Sequence, residues 1–212
     1  MKPDQVRGFD EWAKDYDRSV QCDQEFPFSG YDGVLDRVVR LAGARSDHHI
    51  LDLGIGTGNL AKRFVDIGCR VSGIDFSSSM LALARRKVPG VQLAEADITG
   101  PWPAAFAGRF DRIVSAYVFH HLALHEKVAF LQRLVDTHLS PGGLIVVGDV
   151  CFSTEQSLAE ARALAGERWD DSEHYWVVPE TNVACEMVGL SVHHSPVSPC
   201  AAVLVFRPGN RP

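Results

Sequence analysis

The sequence predicts an α/β fold: a doubly wound, mostly parallel, seven-stranded sheet that ends in an antiparallel C-terminal hairpin. Three observations lead there. From about residue 48 to 150, short β-rich runs alternate with helical periodicities, placing strands at 49–53, 70–75, 91–95, 110–117 and 143–150. That alternation is the pattern of a parallel sheet wound by helices. The tail adds two close strands, Leu190 to Val197 and Ala201 to Phe206, joined by Ser198-Pro199. So short a link cannot hold the crossover of about a dozen residues that a parallel pair needs, so the two strands run antiparallel. Finally, the first strand runs straight into a glycine turn and then a helix, the place where open α/β sheets bind ligands.

The elements follow in order. Residues 1–47 form an N-terminal helical cap segment. It has an amphipathic start (Phe9, Trp12, Ala13, Tyr16, Val20), a Pro/Gly/aromatic break at 26–30, and a helix around 31–43. The core begins at residue 48 and runs to 212. Its first strand ends in Ile50-Leu51-Asp52-Leu53, the turn carries Gly54, Gly56 and Gly58, and the helix from Asn59 to Gly68 spaces Leu60, Phe64 and Ile67 helically. The second strand ends at Asp75-Phe76; Ser77, Ser78 and Ser79 then precede a helix from Met80 to Lys87, whose Arg85-Arg86-Lys87 end suits the helix dipole. The third strand closes on Asp97-Ile98. After the fourth strand, the helix from Glu126 to His138 carries Phe130, Leu131, Leu134 and Val135 on one face. Ser140-Pro141-Gly142-Gly143 reads as a turn into the fifth strand. Residues 151–189 lie outside the alternation, with a helix at about 154–166, an acidic aromatic patch from Glu167 to Trp176, and a helix near 179–189. Such an insertion is expected to cover the site and shape a substrate pocket.

Composition narrows the function. The 212 residues suit one domain with a full core, and 46% apolar and 23% charged residues are ordinary for a globular protein. A net charge of −6 argues against a sequence-independent grip on nucleic acid. Cys22, Cys69, Cys151, Cys185 and Cys200 are odd in number and include no C-x-x-C pair, as expected for reduced thiols in the cytoplasm and not for a disulfide framework or zinc site. The amino terminus lacks a signal-peptide core, and no apolar run approaches the roughly 20 residues that span a bilayer. The sequence does not specify an oligomeric state.

The ligand decides the chemistry. Dinucleotide sites prefer G-x-G-x-x-G around a pyrophosphate, but here the spacing is G-x-G-x-G and Asn59 stands where a third glycine would fall. Asp52, inside the strand, suits a cationic ligand and is awkward beside a pyrophosphate. Both features oppose an NAD-dependent dehydrogenase. Asp75, about 20 residues past the turn, is placed to accept from both ribose hydroxyls, the alternative being an N-cap that a serine fills equally well. Phe76 and Met80 could flank the adenine.

This set resembles the class I S-adenosylmethionine-dependent methyltransferases, whose first motif is D/E-x-G-x-G-x-G, and the resemblance implies a Rossmann-like fold with the antiparallel edge seen in the tail. It implies S-adenosyl-L-methionine as cofactor and S-adenosyl-L-homocysteine as product. It gives Asp97 the adenine amino group and Ile98 the backbone contact to the ring. Phe9-Asp10-Glu11-Trp12-Ala13 with Tyr16-Asp17, Gly56-Thr57-Gly58-Asn59-Leu60, and Ala116-Tyr117-Val118-Phe119-His120-His121-Leu122 further resemble the small bacterial YrrT-like methyltransferases. That likeness implies that Tyr16 closes over the methionine end of the cofactor with its hydroxyl towards the active site. Asp75 stands where a glutamate is common; either reaches a ribose. Ser115-Ala116-Tyr117-Val118 replaces the N-P-P-Y motif of base and amide methylation, and Ser115 completes the residues expected at the cofactor.

Methyl transfer is an in-line displacement, so the protein supplies binding, orientation and electrostatics. His120 and His121, just past the fourth strand, are the candidate bases, since an imidazole titrates near pH 6.5; the alternative is a pair of helix-start histidines bonded to backbone or solvent. His120, His121 and His125 could suggest a metal, but no partner carboxylate or cysteine is expected near them, Ser115 to Phe119 offer no carboxylate, and Cys151 and Phe152 follow Asp149 at the end of the fifth strand, so no metal is expected. The reading that results is a methyltransferase acting on a small molecule. An RNA-modifying enzyme or a non-catalytic S-adenosylmethionine-binding protein are the alternatives.

Overall fold

Buried on both faces, the central strands read as continuous apolar runs, so their order in the sheet determines where the few polar residues gather. The computed structural model describes residues 3–22 and 26–209; the side chains of 3–7, 9, 21 and 22 lie outside the described residues, and with them the expectation for Phe9. The chain begins with α1 (Pro3–Cys22) and α2 (Tyr31–Ala42), then alternates β1 (His49–Leu53), α3 (Asn59–Asp66), β2 (Arg70–Asp75), α4 (Ser78–Lys87) and β3 (Gln92–Glu95). It continues with β4 (Phe110–Ala116), α5 (Leu124–Thr137), β5 (Leu139–Phe152) and α6 (Glu155–Ala165). Last come β6 (Trp176–Val177), α7 (Val178–Met187), β7 (Leu190–Pro196) and β8 (Ala201–Pro208).

The strand order is β3-β2-β1-β4-β5-β8-β7, with β1 to β5 parallel and β8 antiparallel to both β5 and β7. The doubly wound sheet and its antiparallel C-terminal pair are therefore as expected. The chain runs outward from β1 to β3 and then crosses back to β4, so β1 and β4 lie at the topological switch point, beyond whose carboxyl ends such sheets bind ligands. Two details differ from the expected pattern. The short strand β6 pairs with the end of β5 (Cys151↔Trp176, Phe152↔Val177) as an eighth strand; two residues are too few to show a periodicity. The expected turn at Ser140–Gly143 lies within β5. There Gly142 sits at φ +75, and the register against β4 shifts between Phe110 and Arg112, so the segment is a bulge in a longer strand.

Successive residues point to opposite faces of the sheet, and the two cores follow. Ile50, Val114 and Val146 face the core shared with α2, α3 and α4 through Val34, Val38, Phe64 and Leu81. Leu51, Ile113 and Val147 face the other, shared with α5 and α7 through Phe130, Leu131 and Cys185. Among the described residues, no helix is long and apolar enough to cross a membrane.

Close packing of α2 on β5 depends on a missing side chain. A Cβ on Gly148 would lie 2.5 Å from Val34 Cγ1 and 2.9 Å from Val38 Cγ2. We expect Gly148→Ala to lower unfolding stability by about 1–3 kcal/mol through overpacking, read as a lower urea midpoint with an unchanged slope.

Candidate active site

The glycine turn after β1 is built to bring backbone close to a ligand. Gly54 and Gly56 have φ of +69 and +53, a region that disfavours residues with a Cβ, and both line the cleft above the switch point. A Cβ on Gly54 would also fall 2.3 Å from Val118 Cγ2. Gly58 has a different position: at φ +90 it caps α3, and its missing Cβ makes room for Val88 and Ala84 of the neighbouring helix.

Two carboxylates stand beneath this turn. Asp75 accepts from Gly56 N at 2.8 Å and from Ser77 N at 2.9 Å, so it ties the end of β2 to the glycine turn while facing the cleft. Ser77 takes the N-cap of α4, accepting from Met80 N at 3.1 Å, which leaves Asp75 free of that role. Burial raises the Asp75 pKa against those backbone bonds. Asp52 is 1% exposed, and its Oδ2 has no partner. Burial and the neighbouring charge of Asp75 push its pKa up to about 8, opposed by a bond from the Ala61 backbone. A buried, unpartnered carboxyl oxygen beside a glycine cradle fits a ligand that brings positive charge and hydrogen-bond donors, as S-adenosylmethionine does.

Phe76, Met80 and Ile98 line the apolar side of the cleft, with Ala116 and Tyr117 opposite. Four expected residues are not among those lining it: Asp52 borders a neighbouring pocket under the turn, Gly58 caps α3, and Asp97 and Ser115 turn to other partners. Asp97 turns its Oδ1 to Thr99, accepting from N at 2.9 Å and Oγ1 at 2.7 Å, and leaves the wall to Ile98. Ser115 donates its hydroxyl to Leu53 O at 2.7 Å and is buried between β4 and β1, because side chains alternate along a strand and Ala116 takes the cleft side.

Helix α1 lies over the cleft, held by contacts that its sequence alone did not announce. Asp10 accepts from Ser77 Oγ at 2.5 Å and Ser79 N at 3.3 Å. Asp17 accepts from Thr57 Oγ1 at 2.6 Å, Asn59 Nδ2 at 3.0 Å and Lys87 Nζ. Lys87 also donates to Thr57 Oγ1 and Asn59 Oδ1. Asn59 is therefore a strut between the glycine turn and α1, and Lys87 has a specific partner beyond the α4 dipole. The clamp sets Tyr16 at the border between the cleft and a second cavity. There it packs edge-on against Trp12, with ring centroids 4.8 Å apart, and shares a hydrogen bond with Tyr31.

The second cavity, about 280 Å³, opens beside the cleft; Tyr16, Tyr117 and His121 line both. The short 3-10 turn Phe119–His121 delivers His120 and His121 to it. His120 Nδ1 lies 2.6 Å from Asp149 Oδ1. Since an ionised carboxylate only accepts, Nδ1 carries the proton, and the acceptor lone pair of a neutral imidazole falls on Nε2. Asp149 is 0% exposed and also accepts from His120 N (3.0 Å), Val150 N (2.9 Å) and Trp176 Nε1 (3.3 Å). Although burial alone would raise its pKa, His120 and Lys127 hold it below the usual carboxylate range. Buried Lys127 donates to His174 O and sits 4.2 Å over the Trp176 ring. His121 is pushed down to about 4 by burial and by His120, so it is neutral at physiological pH. Tyr117 ends the wall at φ +57, its hydroxyl buried without a partner.

Glu173 closes in on the two histidines from a distant part of the chain. About 50 residues beyond the histidines, it places Oε1 at 3.6 Å from His120 Nε2 and 3.9 Å from His121 Nδ1. The sequence offers the histidines no partner carboxylate, but the fold supplies one, bringing the three possible ligand atoms within 4.8 Å of one another. Two ligands of one tetrahedral ion with bonds of 2.0–2.1 Å would stand about 3.3–3.4 Å apart. The separations here are wider than that and longer than a hydrogen bond.

A glycine cradle over two buried carboxylates at the switch point is an arrangement that suits the cofactor of class I S-adenosylmethionine-dependent methyltransferases, and the comparisons with known proteins agree. A family profile described as a methyltransferase domain matches residues 50–143. The uncharacterized methyltransferase YrrT of Bacillus subtilis is 38% identical over 158 residues, covering 72% of this chain and 70% of the relative. An uncharacterized methyltransferase of Anoxybacillus flavithermus is 33% identical over 203 residues, covering 90% and 91%. The chain belongs to this YrrT-like methyltransferase family. Among solved structures, the DhpI–SAH complex superposes with a TM-score of 0.72 at 22% identity, covering 98% of this chain and 96% of that one. Magnesium protoporphyrin IX methyltransferase (ChlM) from Synechocystis PCC 6803 with bound SAH gives 0.69 at 18%, covering 94% of each. At such identities these two share the fold.

The Asp52 environment has a measurable consequence. A folded pKa near 8, above the unfolded value of about 3.9, means the unfolded chain releases a proton that the folded chain keeps. The resulting loss of stability is absent below about pH 4 and grows as pH rises towards 8. Asp52→Asn should therefore be more stable than the parent at pH 8 and no more stable at pH 4, by thermal unfolding without cofactor. An unchanged difference across that range would contradict it.

Proposed function

We propose that the protein methylates a small-molecule acceptor bound in the aromatic cavity, with His120 as general base and Asp149 as the group that orients it. The observation that carries this reading is the 2.6 Å contact from His120 Nδ1 to a fully buried Asp149, with Nε2 turned towards the Glu173 side of the cavity. S-adenosylmethionine, when bound, supplies an electrophilic methyl group on a sulfonium. The chain's own work is to hold, orient and accept a proton. Asp75 takes the ribose hydroxyls and Asp52 the ammonium end. Gly54 and Gly56 admit the ligand to the backbone, and Gly58 shapes the turn behind them. Phe76, Met80 and Ile98 flank the adenine, with Asp97 beside Ile98 at that end. Ser115 serves by fixing β4 to β1. Tyr16 and Tyr117 border the reacting carbon, and His121, held neutral, shares the wall next to it.

The covering of the acceptor comes from two segments outside the alternating core. The N-terminal cap supplies Trp12 and Phe28, and the 151–189 segment supplies Glu173 and Tyr175. A cavity of about 280 Å³ so enclosed is matched to a small molecule.

Two results test this. Asp75→Ala should weaken S-adenosylmethionine affinity about tenfold to a hundredfold by calorimetry, the value of one or two charge-assisted hydrogen bonds. His120→Gln should leave that affinity within about twofold but lower turnover on the order of a hundredfold or more. Turnover is assayed as label transferred from the cofactor to a metabolite extract. The pH profile fixes the sign. Burial lowers the His120 pKa, while Asp149 and then Glu173 raise it more than burial and Lys127 lower it, so the free base appears above the usual histidine range. Turnover should climb as pH rises through a limb above 6.5, a limb missing from His120→Gln. Full turnover in that variant would remove the histidine from the mechanism.

A further inference from the structure

The charge and the walls of the second cavity say more about what it accepts, on the reading that it is the acceptor site. We propose that the acceptor is a small organic ammonium, a primary or secondary amine methylated at nitrogen, held by the Glu173 carboxylate against the ring walls.

The walls are aromatic: Trp12 and Tyr16 pack edge-on, Phe28 lies against Tyr117 with centroids 5.4 Å apart, and Phe26 meets Tyr175 edge-on at 5.6 Å. Ring faces attract organic cations, more strongly where water is excluded. Formal charge in the interior comes from the half-buried Glu173. His121 is neutral, and with His120 in the free-base form that accepts the proton, the buried Asp149 adds a second negative charge behind it. Arg168 and Asp170 line the same cavity but are exposed at its rim, with opposite signs. An anionic acceptor would be forced against Glu173 in a partly desolvated space, whereas an ammonium would be paired there. The buried, unpartnered hydroxyl of Tyr117 offers an acceptor for one of its N–H groups.

The proton chemistry agrees. An alkylammonium titrates near the lysine value of about 10, within reach of an imidazole base, while an aliphatic alcohol does not. Thiols and phenols titrate in a similar range but ionise to anions, which Glu173 repels. In the balanced step, the ammonium gives one proton to His120 Nε2. The freed nitrogen lone pair forms the N–C bond to the methyl carbon as the S–C bond breaks. The electron pair of that bond stays on sulfur, and the positive charge passes from sulfur to the methylated nitrogen.

The test is binding, which needs no base. Calorimetry on the protein loaded with S-adenosylhomocysteine would compare 2-phenylethylammonium, 2-phenylethanol and phenylacetate, which share a ring and differ in charge. The ammonium should bind at least about tenfold tighter than the other two. Glu173→Gln, checked for unchanged S-adenosylhomocysteine affinity, should erase that preference. If the variant does not fold, the ranking in the parent protein decides alone. Equal or tighter binding of the alcohol or the carboxylate, no binding of any of the three at millimolar concentration, or a preference that survives in Glu173→Gln would overturn the proposal. Failure of the base is separate: His120→Gln would then keep full turnover whatever the charge ranking.

Discussion

A single buried carboxylate ties the histidine-lined end of this molecule together. Asp149 accepts from its own strand at Val150, from the turn after β4 through both the backbone and ring of His120, and from Trp176 at the start of β6. Three segments distant in sequence thus converge on two oxygens. An ion so deeply buried persists only because those donors and the nearby Lys127 offset its desolvation. The same bonds that hold β6 to the end of β5 therefore present His120 Nε2 to the cavity. In the proposed mechanism, stability and chemistry share their groups here.

The cofactor side is arranged the opposite way. Asp52 and Asp75 are both buried, the charge of Asp75 helps to raise the Asp52 pKa, and Asp52 keeps an oxygen unpartnered. In the protein alone that arrangement is unfavourable, and a ligand carrying positive charge relieves it. Strain at φ +57 in Tyr117, between the two cavities, belongs to the same logic: costs of about 1–3 kcal/mol concentrate where a ligand is to be received. The enclosing helix α1 is attached by Asp10 and Asp17 to the first turns of α4 and α3, so the roof of the cleft and its floor are fastened to the same glycine turn.

The sheet, its antiparallel edge and the position of the cleft were legible in the residues. Burial on both faces forces continuous apolar runs, and a tight ligand turn forces glycine. Asp75, Gly54, Gly56, Phe76, Met80 and Ile98 line one cleft because each lies at the carboxyl end of a strand or the start of the helix after it, a placement that local pattern reveals. Ser115 and Gly58 share those neighbourhoods but face elsewhere. For Ser115 a one-residue step along a strand decided the matter.

Local sequence determined the elements, their order, the glycine turn and the acids beside it, because periodicity and turn chemistry are properties of neighbouring residues. Tertiary structure alone decided that Glu173 meets two histidines about 50 residues away, that Asn59 and Lys87 secure α1 through Asp17, and that Asp149 lies beneath His120. These contacts join charged or polar groups across loops and helices whose spacing carries no period. Only the packed chain, which must pair every charge it buries, reveals which groups were paired.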